Sequence, residues 1–185
     1  MFASASARNP AWFRPFKAVV YALLLANVGV FMWAADDVLA PKAIDQIGWV
    51  IILAVFEWET SRLTRGRALT TVSPGALLAE LTGYACALYA LRYYVAIADP
   101  VEIANASAWL AISALIWFDL FNPEGARNFG RSALRWLLYA VTFACAVIWG
   151  VGGVWLDFAD AVIWIICFFV IEINIFGFDI PSLRR

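Results

Sequence analysis

The chain has 185 residues, of which 64% are apolar types and only 15% are charged. A soluble globule of that size has too much surface for its volume to hide so much hydrocarbon, so the chain reads as a polytopic membrane protein. A net charge of −1 and the absence of histidine exclude imidazole chemistry, histidine-ligated haem or zinc, and the basic footprint of a nucleic-acid binder.

In chain order, an interfacial and cytoplasmic segment, 1–17, comes first. Its Trp12, Phe13 and Phe16 stand beside Arg14 and Lys17, a composition suited to the headgroup region. The apolar run 18–35 follows. Basic residues precede it, as in a signal peptide, yet no small-x-small cleavage site stands out at 33–36, so it is read as a retained helix. Five more runs lie at 47–60, 75–98, 103–121, 133–156 and 161–178, and a tail, 179–185, closes the sequence. The second reaches spanning length only by extending back to Ala43 and on to Ser61. Ser73-Pro74 reads as an N-cap with proline at the first helical position, and Asn122-Pro123 and Pro181 read as helix stops. The expected fold is an all-α bundle of six transmembrane helices over 18–178, with tight connections that make consecutive helices antiparallel neighbours.

The basic residues orient this bundle. Arg8, Arg14 and Lys17, then Arg62, Arg65 and Arg67, then Arg127, Arg131 and Arg135, and finally Arg184 and Arg185 all fall on one side. Only Lys42 falls on the other, and Arg92 lies within the third span. By the positive-inside rule both termini are cytoplasmic in a cell inner membrane. Acids gather on the opposite side: Asp36, Asp37, Asp45, Asp99, Glu102, Asp157 and Asp160. The ten tryptophans and six tyrosines are expected in interfacial belts.

A repeat runs through the even spans. Asp45, Trp49, Ile51, Val55 and Glu57 in the second span recur as Asp160, Trp164, Ile166, Val170 and Glu172 in the sixth, at one constant offset. Asn105, Trp109 and Asp119 echo them in the fourth. Helical hairpins used three times about an axis along the membrane normal would produce this pattern. Shared topology, which starts each inward-running helix with an acid and a belt tryptophan, would produce much of it too.

Carboxylates at membrane depth are the strongest functional signal, because a charge there costs about 2.5–3.5 kcal/mol on insertion scales. Glu57, Glu80, Asp119 and Glu172 all lie toward the cytoplasmic ends of their spans. Facing one another, they would form an acidic vestibule able to hold a proton or cation; facing the nearby arginines, they would be structural. Glu59 is assigned the second role, three residues from Arg62. Glu80, Tyr84, Leu88 and Arg92 follow at i+4 along one face of the third span, with Arg92 expected to snorkel outward toward Asp99, Glu102 or lipid headgroups. Ala79, Gly83 and Ala87 form a small-residue stripe beside them, which places this span centrally. Gly150, Gly152 and Gly153 fit packing, a kink or a hinge, and Cys86, Cys145 and Cys167 read as small apolar side chains.

No nucleophile elbow, phosphate loop or metal-ligand spacing occurs. The sequence therefore points away from an enzyme and names no cofactor or metal. The expected function is a small ion or solute channel or transporter working through Glu57, Glu80, Glu172 and Asp119, with Arg92 and Tyr84 auxiliary. The other reading is a non-catalytic subunit or assembly factor of a membrane complex. The expected partners are the lipid bilayer and other copies of this chain or other membrane subunits, with no nucleic acid.

Overall fold

The computed structural model describes residues 13–34, 40–64, 73–121 and 129–176. These form six helices and, among the described residues, no strand: α1 (Phe13–Ala34), α2 (Pro41–Thr64), α3 (Pro74–Ala96), α4 (Pro100–Phe121), α5 (Phe129–Val151) and α6 (Trp155–Phe176). Three of them, α1, α4 and α5, are long and apolar enough to cross a membrane. Of the other three, α2 carries Lys42, Asp45, Glu57 and Glu59, α3 carries Glu80 and Arg92, and α6 carries Asp157, Asp160 and Glu172.

Local chemistry sets the helix ends. Proline opens α2, α3 and α4, where its fixed φ suits the first turn and its missing N–H leaves no gap. Ser73 caps α3, its Oγ accepting from Ala76 N at 3.2 Å, as the sequence predicts. Asp99 caps α4, its Oδ1 accepting from Val101 N and Glu102 N at 3.1 Å each. The carboxylate that the sequence offers to Arg92 is thus committed to a helix start, and Arg92 itself is exposed.

The α3–α4 and α5–α6 turns are built alike. Asp99 N donates to Tyr94 O and Ala98 N to Val95 O; Val154 N donates to Trp149 O and Gly153 N to Gly150 O. Both are Schellman closures, with the left-handed position filled by Ala98 (φ 54°) in one and Gly153 (φ 78°) in the other. The predicted fifth span, 133–156, is corrected here: the glycines end α5 at Val151 and make a turn rather than a hinge within the helix.

Each helix packs on the next, and α6 returns to α1, closing a ring. The closest crossing joins α2 to α3. A Cβ on Gly48 would lie 2.7 Å from Gly83 O, and one on Gly83 would lie 2.8 Å from Gly48 O, so only paired glycines allow this approach. Gly83 and Ala87 of the predicted stripe are buried here. The opposite face of α3, with Leu77, Leu78, Leu81 and Leu88, is exposed; the helix belongs to the perimeter rather than the centre.

The interior comes chiefly from α2, α4 and α6, which present the same stripe in the same register. Trp49, Trp109 and Trp164 are each 4–5% exposed and share one core cluster. Three residues further on, Ile52, Ile112 and Cys167 lie beneath them. Intervals of three and four keep such positions on one helical face. The rings meet edge to face or tilted: Trp49–Trp164 at 6.2 Å between centroids, Trp49–Phe168 at 6.1 Å and Trp109–Phe168 at 4.7 Å. Aromatic pairs of this kind add about 0.5–1.5 kcal/mol each. Contrary to the expectation from sequence, these three tryptophans do not stand in an interfacial belt; among the described residues Trp33, Trp58, Trp136 and Trp155 are the exposed ones. Outward-facing Leu, Val and Phe of α1, α3 and α5 complete an apolar exterior, which suits acyl chains better than water.

Candidate functional site: an acidic cavity above a tryptophan floor

The N-terminal ends of α2, α4 and α6 converge, and each brings polar groups one and two turns above its buried tryptophan. The upper level is Lys42, Glu102 and Asp157, at matching positions of the three helices. Lys42 Nζ bridges the other two, at 2.7 Å from Glu102 Oε1 and 2.7 Å from Asp157 Oδ2. One ammonium therefore ties three helices together. Burial works against its charge, but the carboxylates of Glu102 and Asp157 outweigh that and hold Lys42 above its ordinary pKa.

The lower level is Asp45, Asn105 and Asp160, again at matching positions. Asp160 is fully engaged: Asn27 Nδ2 of α1 donates to its Oδ1, and Gln46 Nε2 donates to its Oδ2 at 2.8 Å. Gln46 in turn accepts from Trp164 Nε1 at 3.1 Å, so the floor and the polar layer are hydrogen-bonded to each other. Asp45 receives a hydrogen bond from Trp49. Its Oδ1, like Asn105 Oδ1, is sealed from solvent and has no hydrogen-bond partner.

These groups line one cavity of about 290 Å³ including its open mouth, with Phe31, Tyr94 and Trp149 completing the wall. Four carboxylates face one ammonium, so the cavity is negative. Three helix N-termini temper this, since their exposed N–H groups favour nearby anions. Burial nevertheless dominates. It pushes Asp160 up to about 7, with Gln46 and Asn27 pulling the other way. Asp160 and Glu102 stand close enough to Asp45 for their charges to act on it.

Of the predicted site residues, Glu57, Glu80, Asp119 and Glu172 stand on helix stretches toward the other end of the bundle, whereas Arg92 stands at the cavity's end, two residues from Tyr94, and is exposed. Glu57 forms an ion pair with Lys17 and accepts from Tyr21 OH at 2.9 Å, which clamps α1 to α2. Glu80 is buried on α3, within electrostatic reach of Glu59. Glu59 itself is only 1% exposed, and the side chain of Arg62, its expected partner, lies outside the described residues. Tyr84 OH is 2.6 Å from Ser113 Oγ and ties α3 to α4. Asp119 and Glu172 sit on α4 and α6, with side chains outside the described residues. The cysteines are free thiols, two of them buried. Among the described residues no group of His, Cys, Asp or Glu is arranged to hold a metal ion.

Sequence reasoning assigned the cavity acids to the outer surface because each lies within a turn or two of a connection. The signal that finds them is the register itself: Asp45 and Asp160 are matching positions of the repeat, and so, with different residue types, are Lys42, Glu102 and Asp157. Comparison of the chain with known protein families, curated proteins and solved structures found no match.

Proposed function

We propose that the chain is a multi-pass inner-membrane protein, crossing six times with both termini cytoplasmic, that passes a small cation or a proton across the bilayer. On this reading the cavity faces outward and admits the cation, and Glu80, Glu57, Glu172 and Asp119 draw it off at the cytoplasmic end. The observation that carries the reading is the convergence of four carboxylates and one lysine in a cavity at one end of an otherwise apolar bundle. Stability alone does not call for such a cluster, since buried charges are costly and are retained mainly where they act. The small-residue stripe of α3, which a subunit would need free for a partner helix, is already used against α2; this favours transport over the subunit reading. The experiment is flux of protons, Na⁺ and K⁺ into liposomes holding the purified chain alone. Flux at least tenfold lower in Asp45→Asn and Asp160→Asn supports the proposal. Liposomes that stay tight with a folded wild type remove it.

A further inference from the structure

Resting on that reading, the chemistry of the cavity narrows what it takes. Asp45 Oδ1 and Asn105 Oδ1 are both acceptors, both sealed from solvent and both without a donor, and both residues line the same cavity from different helices. A buried acceptor left unmade costs about 1–3 kcal/mol. Two of them at the same register of a negative chamber suit a positively charged occupant.

The remaining walls restrict it further. Lys42 is held by Glu102 Oε1 and Asp157 Oδ2, and both oxygens of Asp160 are held by Asn27 and Gln46, so Asp45 Oδ1 is the solvent-sealed carboxylate oxygen of the cavity that has no hydrogen-bond partner. Divalent ions gather several carboxylates, and among the described residues no such group is assembled. The enclosed part of the cavity takes an occupant about the size of a water molecule, which excludes larger organic amines. We infer that Asp45 Oδ1 and Asn105 Oδ1 hold a single compact monovalent cation, an alkali ion or ammonium, directly above the tryptophan floor.

The test uses the full chain purified in detergent above pH 8, with ionic strength held constant by choline chloride. Na⁺, K⁺ and NH₄⁺ are titrated separately, reading tryptophan fluorescence and the thermal midpoint. At least one of the three should give a saturable fluorescence change, from the indoles beneath the site, and raise the midpoint by several degrees. Mg²⁺ at equal ionic strength should do neither. Asp45→Asn should unfold no earlier than wild type in choline, because a buried charge is gone, and should lose the response. Asn105→Ala, which keeps the carboxylate, should weaken the response at least tenfold. Equal behaviour of all chlorides in the wild type would overturn the inference, as would an Asp45→Asn or Asn105→Ala protein that titrates like wild type. Binding without liposome flux would leave this site standing and remove the transport function. Flux indifferent to Asp45 and Asn105 would do the reverse.

Discussion

Asp45 and Asp160 are 115 positions apart in the chain, yet they occupy the same register of α2 and α6 and line one cavity. Their proximity is felt electrostatically, each charge adding to the cost of the other where water is scarce.

Stability should therefore depend on pH in the direction opposite to most acid-rich proteins. A carboxyl held at about 7 in the fold and roughly 4 when unfolded keeps, across that window, a proton that the unfolded chain has released. The unfolded state then binds fewer protons, so stability falls as pH rises from roughly 4 to 7. We predict a declining thermal midpoint in detergent over that window, with a shallower decline in Asp160→Asn. A midpoint that climbs steadily from pH 4 to 7 would contradict the assignment.

Lys42 closes the cavity by joining α2 to α4 and α6. Lys42→Met keeps the length and apolar stem but leaves Glu102 and Asp157 facing each other without their cation. Because the lysine side chain is 40% exposed, solvent offsets part of the loss, and a cost of about 1–2 kcal/mol is expected rather than the 3–5 of a fully buried pair. Denaturant titration in micelles measures it, and the double variant Lys42→Met/Glu102→Gln should recover part of the loss.

The glycine crossing makes a sharper prediction. Gly48→Ala and Gly83→Ala each place a methyl group under 3 Å from the facing backbone oxygen, which a helix cannot yield without moving. Each should cost about 1–3 kcal/mol. Gly150→Ala, whose added carbon meets the ring of Phe158 at 3.1 Å, should cost less, because a side chain adjusts where backbone does not.

The two Schellman turns offer a gain. Ala98 holds the left-handed position at φ 54°, where Gly153 stands in the matching turn. Ala98→Gly should stabilise the protein by up to about 1 kcal/mol, removing a strain of about 1–2 kcal/mol and giving back part of it as unfolded-state entropy. The same unfolding assay reads it, and a loss of stability would count against the turn as described.

Trp164→Phe tests the join between floor and cavity. It removes the donor to Gln46 Oε1 while keeping an aromatic ring, so a cost of about 1–3 kcal/mol from the orphaned acceptor is expected, beyond any packing loss. Trp109→Phe, at a ring that packs against Phe168 and Tyr139, should cost less.

Much of the helical framework was legible because it rests on local chemistry: Ser73-Pro74 starts α3, Asn122-Pro123 follows the end of α4, and runs of apolar residues outline each helix. The offset linking Asp45 and Trp49 to Asp160 and Trp164 was legible too. Its meaning was not, since a common register shows which residues share a face and leaves open whether those faces look inward or to lipid. Lys42, Glu102 and Asp157 were harder still, because an ion triad needs unlike residues at like positions and comparison by identity passes over it. Glu57 looked free because the first span was drawn from residue 18; α1 starts at Phe13, which carries Lys17 on the helix and beside it.

The three central indoles separate the polar chamber from everything below it, and one of them, Trp164, is fastened to it through Gln46. For any occupant to travel the length of the bundle, these plates must part while the chamber rearranges. Throughput would then be limited by a concerted swing of aromatic rings, one passenger per swing, in the manner of a turnstile. A steep temperature dependence and early saturation with rising concentration would be its kinetic marks.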